Sequence, residues 1–402
     1  MNLIYVGTLP PHPGGSAISC GQLLTSLSGL GHRVRALGPI TAEAHREGDR
    51  FARCHPEIEV RRFTVPHFEV DTTRPPSATQ HRQAAEQIGE HLDRWMAQEA
   101  PDLVLLGRET FAWLAVGLAA RRVPCVLRVG GPLLRALGAG TYPPELATRY
   151  VDGCRAVDLV IVQAEHMREI AVGLGVPHVV VVPNAVDLTR FAPRPSPAPL
   201  RAALGIAADD VVVVHASNLK PVKRPLDVVR VAARALAQDP RLVFVIVGDG
   251  EGRAAMEDLC RATGVAARFR FVGWVDYARM PEYLALADIV VMPSEFEQQA
   301  RVYLETQAVG RLLLASAVRS AQEVIAHGRT GLLHRPGDLD DFATTLLRAA
   351  ADPAERARIG RQARAYVARH GLAHVAPRFA AALEDVVRDG RVRDAVAAAR
   401  TR

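Results

Sequence analysis

This sequence has few features of a covalent or metal-bound scaffold. Five cysteines occur in 402 residues, at positions 20, 54, 125, 154 and 260, with no C-x-x-C pair. An odd, scattered set argues against a disulfide framework or a zinc site, and no metal is expected. A reducing, cytoplasmic setting fits that usage. No H-E-x-x-H, no G-x-S-x-G elbow, no complete P-loop and no G-x-G-x-x-G is present, so the local signatures of zinc proteases, α/β-hydrolases, NTPases and dehydrogenases are missing. The longest apolar stretch, "LVLLGRETFAWLAVGLAA", is interrupted by Arg108 and Glu109. It falls short of the roughly 18 clean apolar residues a membrane span requires. The opening "MNLIYVG" carries no basic n-region and reads as a first strand rather than a signal peptide. Charge of one sign is not in large excess either. The net charge of +6, from 49 basic and 43 acidic residues, suits an anionic ligand but not a dedicated nucleic-acid binder.

What the sequence does have is core. Apolar residues make up 49%, and the length predicts two domains. Short apolar runs alternate with amphipathic stretches: "NLIYVG", "RVRALG", "PDLVLLG", "PCVLRVG", "DLVIVQ" and "HVVVVP", then after a pause "DDVVVVHAS", "LVFVIVG", "FRFVG", "DIVVMPS", "RLLLAS" and "GLLH". Runs of this kind, apolar on both faces, predict parallel sheets covered by helices. The pause holds Pro193, Pro195, Pro197 and Pro199, a composition that favours an extended linker. The expected architecture is therefore α/β, with domains over 1–188 and 200–380. From about residue 352 the chain reads as helical.

Several strand–helix junctions carry candidate chemistry. In "LPPHPGGSAIS", Gly14 and Gly15 permit close backbone approach, and Ser16 is placed to cap the next helix, whose free amides form an anion site. "HASNLKPVKRPLDVV" gathers Lys220, Lys223 and Arg224 where a helix begins, a place for a point charge to meet a diphosphate. "SEFEQQARVYLET" follows a strand and sets Glu297 and Glu305 eight positions apart. Carboxylates at the carboxyl end of such a sheet can accept hydrogen bonds from sugar hydroxyls. Each junction alone is also compatible with an ordinary capped or solvated turn. The glycines of "VGDGEGR" are a weak signal. The D-x-D within "DLDD" at 338–341 is explained by acidic residues at a helix start.

The order of these motifs carries more than any one of them. "GGS", "VVPNAVDLTRFAP", "SNLKPVKRPLDVV", "FVIVGDGEGR", "FRFVGWV", "ADIVVMPSEFE" and "EVIAHGRTGLLHRPGD" follow one another along almost the whole chain. This series resembles the retaining GT-B glycosyltransferases of family four. "SNLKPVKR" is similar to the form found in bacillithiol-type N-acetylglucosaminyl L-malate synthases. The resemblance implies a GT-B fold, two Rossmann-like domains with a cleft between them, and a last helix, 381–402, returning to the first domain. It implies a nucleotide-sugar donor (UDP- or GDP-linked) as substrate, no cofactor, and a small-molecule or lipid-linked hydroxyl acceptor, with peripheral membrane contact left open by the basic balance. By the same resemblance Glu297 meets the donor sugar, Glu305 the ribose and Lys223 the diphosphate. Gly15 and Ser16 lie on the loop facing donor phosphate and acceptor, and Gly273 to Val275 lie where backbone meets the base. The sequence departs from the family in places. Asn218 replaces an arginine, Gln298, Gln299 and Ala300 replace a glycine–aromatic–glycine, and Arg301 adds a cation. Gly130 stands where a histidine is common, and Ala185 where glycine is usual. A nucleotide-sugar 2-epimerase and a non-catalytic sugar-nucleotide binder are the competing readings.

Overall fold

The computed structural model of the chain describes residues 1–10, 12, 14–40, 49–66 and 77–400, the last ten of these by backbone alone. It divides into two compact units, Met1–Asn184 with Leu372–Arg402, and Ala185–Gly371. The first unit therefore ends a few residues before the expected position 188. The returning helix, Leu372–Arg400, begins before the expected 381 and packs on the helix Gly15–Gly29.

The first unit is built on seven parallel strands: β1 (Asn2–Val6), β2 (Arg33–Ile40), β3 (Glu59–Thr64), β4 (Leu103–Leu106), β5 (Cys125–Arg128), β6 (Leu159–Val162) and β7 (Val179–Val181), in the order β3-β2-β1-β4-β5-β6-β7. The second has six: β8 (Val211–Ala216), β9 (Leu242–Val247), β10 (Phe269–Gly273), β11 (Ile289–Met292), β12 (Leu312–Ser316) and β13 (Leu332–His334), in the order β10-β9-β8-β11-β12-β13. Both are doubly wound. The direction of winding reverses between β1 and β4 in one sheet and between β8 and β11 in the other. At such a reversal the flanking loops diverge and leave a crevice at the carboxyl ends of the strands, where ligands bind in folds of this type.

The sequence builds these sheets by burying both faces of each central strand. All six residues of β8 and of β9 are buried. Val212, Val214, Val243 and Val245 join one core layer, while Val211, Val213, Leu242, Phe244 and Ile246 join the other. Successive side chains alternate between faces, so a run of β-branched residues supplies both layers at once. β3 is different. "EVRRFT" carries charge and is only partly buried at the sheet edge, so it lacks the apolar signal and went unpredicted. The stretch read as the longest apolar run resolves into β4, a short turn and the helix Trp113–Ala120. Among the described residues, no helix is long and apolar enough to cross a membrane.

Candidate functional site

Within the second unit the sequence assembles a site at the β8/β11 reversal. Near the end of β8, His215 is completely buried, and burial pushes its pKa down to about 4. The neutral ring bonds through Nδ1 to the carbonyl of Val291 on β11, 3.0 Å away, so that nitrogen carries the proton. Nε2 then accepts from the Ser217 hydroxyl at 2.8 Å, and Ser217 Oγ accepts from the Leu219 amide at 3.1 Å. This chain of bonds fixes a loop in which Leu219 and Arg224 hold left-handed backbone, φ 46° and 50°. Left-handed backbone in a non-glycine residue is costly, so the surrounding bonds must hold the turn in place. The glycines after β9 support the same loop. A Cβ on Gly248 or Gly250 would lie 1.9 Å from the Ser217 carbonyl or 2.0 Å from the Asn218 carbonyl. The "VGDGEG" glycines thus permit backbone-to-backbone contact.

That loop aims Lys223. Its Nζ contacts both oxygens of Glu297, at 2.7 and 2.6 Å. Glu297 leaves the loop after β11, is 7% exposed, and takes a further hydrogen bond from the Ser294 hydroxyl at 2.8 Å. The other basic residues of the junction do not join the pair. Arg224 bonds the buried carboxylate of Asp227, which Arg230 also reaches, and Lys220 is exposed. Asn218 is exposed on the same loop, while Gln299 and Ala300 are buried between Glu297 and the helix Arg301–Val309. Glu297 does not cap that helix; Ala300 holds the cap position.

Glu305, one turn into the helix, is 4% exposed. Its Oε1 accepts from the Tyr277 hydroxyl at 2.9 Å and from Arg301 at 3.1 Å. Arg301 also donates to the Tyr277 oxygen and lies over its ring. Burial raises the Tyr277 pKa, so the phenol stays protonated. Burial works against the Arg301 cation, yet Tyr277 and Glu305 carry its pKa above the ordinary value. Gly273, in left-handed backbone at φ 79°, ends β10, and its carbonyl accepts from Gly248 at 2.7 Å. Trp274 beside it is 57% exposed, and Val275 is half-buried. Ser294, Tyr277 and His215 were missed by sequence reading, since a lone serine, tyrosine or histidine carries no spacing signal.

Gly15 and Ser16 open the helix Gly15–Gly29 in the first unit; positions 11 and 13 of their loop lie outside the described residues. Ser16 does not cap this helix as expected. Gly14 is the cap residue, at φ 113° and with no side-chain bond, and the Ser16 hydroxyl is buried with no partner among the described residues. A Cβ on Gly130 would meet that hydroxyl at 2.4 Å, so a histidine there would displace Ser16. Arg128, two residues before Gly130, is turned inward. It is buried and bonds Ser19 Oγ at 2.9 Å and Asn184 Oδ1 at 2.8 Å. Glu109, fully buried, accepts from the amides of Gly130, Gly131 and Leu133 at 2.9–3.0 Å. The acid repeat at 338–341 is a helix cap, with Asp338 accepting from the amides of Asp340 and Asp341. Among the described residues, no group of three or more His, Cys, Asp or Glu side chains is arranged to hold a metal.

Comparison with known proteins matches these observations. Residues 198–366 match Glycosyl transferases group 1, and residues 13–190 match Glycosyltransferase Family 4. A D-inositol 3-phosphate glycosyltransferase of Kribbella flavida is 34% identical over 192 residues, 46% of this chain and 45% of that protein. One from Stackebrandtia nassauensis is 33% identical, over 52% of this chain and 49% of the other. The chain thus spans about half the length of the curated relatives it matches. Among solved structures, sucrose-phosphate synthase from Thermosynechococcus elongatus superposes with a TM-score of 0.79 at 21% identity, covering 96% of this chain and 99% of that one. Anabaena HepE in complex with UDP and glucose gives 0.78 at 20% identity, over 96% and 100%. At that identity the likeness shows the fold, two Rossmann-like α/β domains of GT-B type. The chain thus carries a match to the glycosyl transferases group 1 family over residues 198–366 and to Glycosyltransferase Family 4 over residues 13–190, on a fold of GT-B type.

Proposed function

We propose that this chain transfers a hexosyl group from a nucleoside-diphosphate sugar to a hydroxyl acceptor, with retention of anomeric configuration. The observation that carries the reading is the pairing of Lys223, from the loop after β8, with Glu297, from the loop after β11, at a sheet reversal. Glu305 stands on the adjoining helix. A cation flanked by two carboxylates suits a ligand with hydroxyls at both ends and negative charge between. In this reading Glu297 takes the donor-sugar hydroxyls, Lys223 the diphosphate and Glu305 the ribose. The backbone at Gln299 and Ala300 and the side chain of Asn218 border the phosphates. Gly273 and Val275 border the base. Gly15 and Ser16 offer amides and a hydroxyl to phosphate or acceptor.

The reaction is then a front-face displacement. The acceptor oxygen bonds to the anomeric carbon on the face from which the diphosphate departs. The bond to the phosphate oxygen breaks, and that oxygen takes the acceptor's proton. Lys223 stabilises the charge as it develops. One well-placed donor of this kind is worth about 2.7–4 kcal/mol, or 10²–10³ in turnover, by analogy with oxyanion holes. Donor binding is an exchange, in which the diphosphate takes the cation that Glu297 now holds. Turnover without added metal and without a cofactor is expected.

Uridine as the base is supported by the UDP bound to the Anabaena neighbour, and a phosphorylated polyol acceptor by the names of the curated relatives. Malate, suggested by "SNLKPVKR", and a lipid-linked hydroxyl belong in the same acceptor panel. The test is UDP release from UDP-sugars with and without each acceptor, with the product anomer read by NMR. Acceptor-dependent release with a retained anomer supports the proposal. Interconversion of the sugar at C2 without transfer supports the epimerase. Donor binding without turnover over the whole panel supports a non-catalytic binder.

A further inference from the structure

Arg301 sits where local rules disfavour it. It is the first residue of the helix Arg301–Val309, so its charge faces the positive end of the helix dipole. Its pair with Glu305 runs cation-first at i,i+4, the weaker of the two orientations. The side chain is only 9% exposed, and its Nη1 is buried with no hydrogen-bond partner among the described residues. A buried donor left unmade costs stability. An arrangement that breaks several local preferences together points to a functional role.

The geometry shows what the arrangement accomplishes. Arg301 donates to the Tyr277 oxygen, and Tyr277 in turn donates to Glu305 Oε1; Arg301 reaches the same Oε1 directly. Two donors therefore converge on one oxygen of the carboxylate, and neither bonds Oε2. A carboxylate has about four acceptor positions, two on each oxygen. Among the described residues two are occupied, both on Oε1, and the two that remain are on Oε2. Tyr277 is itself packed by the Phe191 ring, at 5.6 Å between centroids, and by Arg190 over its ring. The hydroxyl thus has little freedom to swing away.

We infer that Arg301 and Tyr277 are positioning residues that lock Glu305 by one oxygen, so that Oε2 is presented to a vicinal pair of ribose hydroxyls and the site selects ribonucleotides over deoxyribonucleotides. The inference rests on the proposed donor site and adds to it the device that sets sugar specificity at the nucleoside. A carboxylate free to rotate can follow a single remaining hydroxyl. One fixed in orientation loses a charge-assisted bond for which it has no substitute.

The test measures Kd for UDP and for 2′-deoxy-UDP by calorimetry, in the full chain and in Tyr277→Phe, Arg301→Leu and Arg301→Lys. The ratio of the two constants is read because it does not depend on the fraction of protein correctly folded. In the unaltered protein the ratio is expected to be about tenfold or more, the scale of one charge-assisted hydrogen bond. Tyr277→Phe and Arg301→Leu should reduce it to about two- to threefold, with Arg301→Lys between. Glu305→Gln serves as the reference for a lost carboxylate. A ratio that stays at its full value in both Tyr277→Phe and Arg301→Leu, with UDP still bound, overturns this inference and leaves the donor site standing. An unaltered protein that binds neither nucleotide overturns the donor site and this inference with it.

Discussion

Replacing Lys223 with methionine is the perturbation whose consequences the structure defines most fully. The ammonium is held by both oxygens of Glu297, 2.7 and 2.6 Å away. Its removal leaves a 7% exposed carboxylate supported by the Ser294 hydroxyl and its remaining neighbours. Breaking a fully buried ion pair from one side costs about 3–5 kcal/mol. The lysine side chain is 21% exposed, so water and screening reduce the figure to about 2–3 kcal/mol. For a domain of this size each kcal/mol shifts the midpoint by roughly 2–4 °C, which gives about 4–12 °C. Differential scanning fluorimetry reads that shift directly. Lys223→Met combined with Glu297→Gln should recover most of it, because the neutral pair leaves no charge behind. Catalytically the single variant should lose about 10²–10³ in kcat with a smaller change in KM. An unchanged midpoint together with unchanged turnover would refute both the pairing and the role of the cation.

Other consequences follow from single residues. Glu109→Gln keeps one oxygen for the Gly130 and Gly131 amides but turns an N–H₂ against the Leu133 N–H, and should cost about 1–3 kcal/mol, read by urea denaturation. Gly250→Ala places a methyl 2.0 Å from the Asn218 carbonyl at φ 152°; it should destabilise by about 2 kcal/mol or more and lower UDP affinity by disturbing the Lys223 loop. His215 is buried neutral with its pKa pushed to about 4, against an ordinary 6.5. Between those two values the unfolded chain binds a proton that the folded chain refuses, so stability falls as pH drops from about 6.5 to 4, by up to roughly 3 kcal/mol. His215→Asn should flatten that pH dependence of the unfolding free energy. On the proposed reading, in which Lys223 and backbone amides meet the leaving-group charge, chelation with EDTA should leave turnover within about twofold.

Much of the fold was legible because central parallel strands are apolar on both faces, and β8, β9 and β11 read as near-continuous apolar runs rich in Val and Ile. β3 was invisible for the converse reason: an edge strand carries charged residues that solvent accepts. Lys223, Glu297 and Glu305 were legible because strand–helix junctions concentrate chemistry at the carboxyl edge. What joins them was not. The contact of Lys223 with Glu297 spans 74 positions in the chain, and that of Tyr277 with Glu305 spans 28; nothing local records either. Ser16 looked like a cap because serine after glycine often is one, but the helix begins a residue earlier, at Gly15. Arg128, two residues before the position of the missing histidine, is buried against Ser19 and Asn184, and only the fold reveals that its charge is turned inward.

A crystal structure with UDP bound tests the central claim most directly. The account predicts the diphosphate on Lys223 Nζ, the Glu297 contact loosened, and both ribose hydroxyls within hydrogen-bond distance of Glu305. UDP seated away from β8 and β11, with Lys223 still clasped by Glu297 and Glu305 touching no ribose, would contradict it.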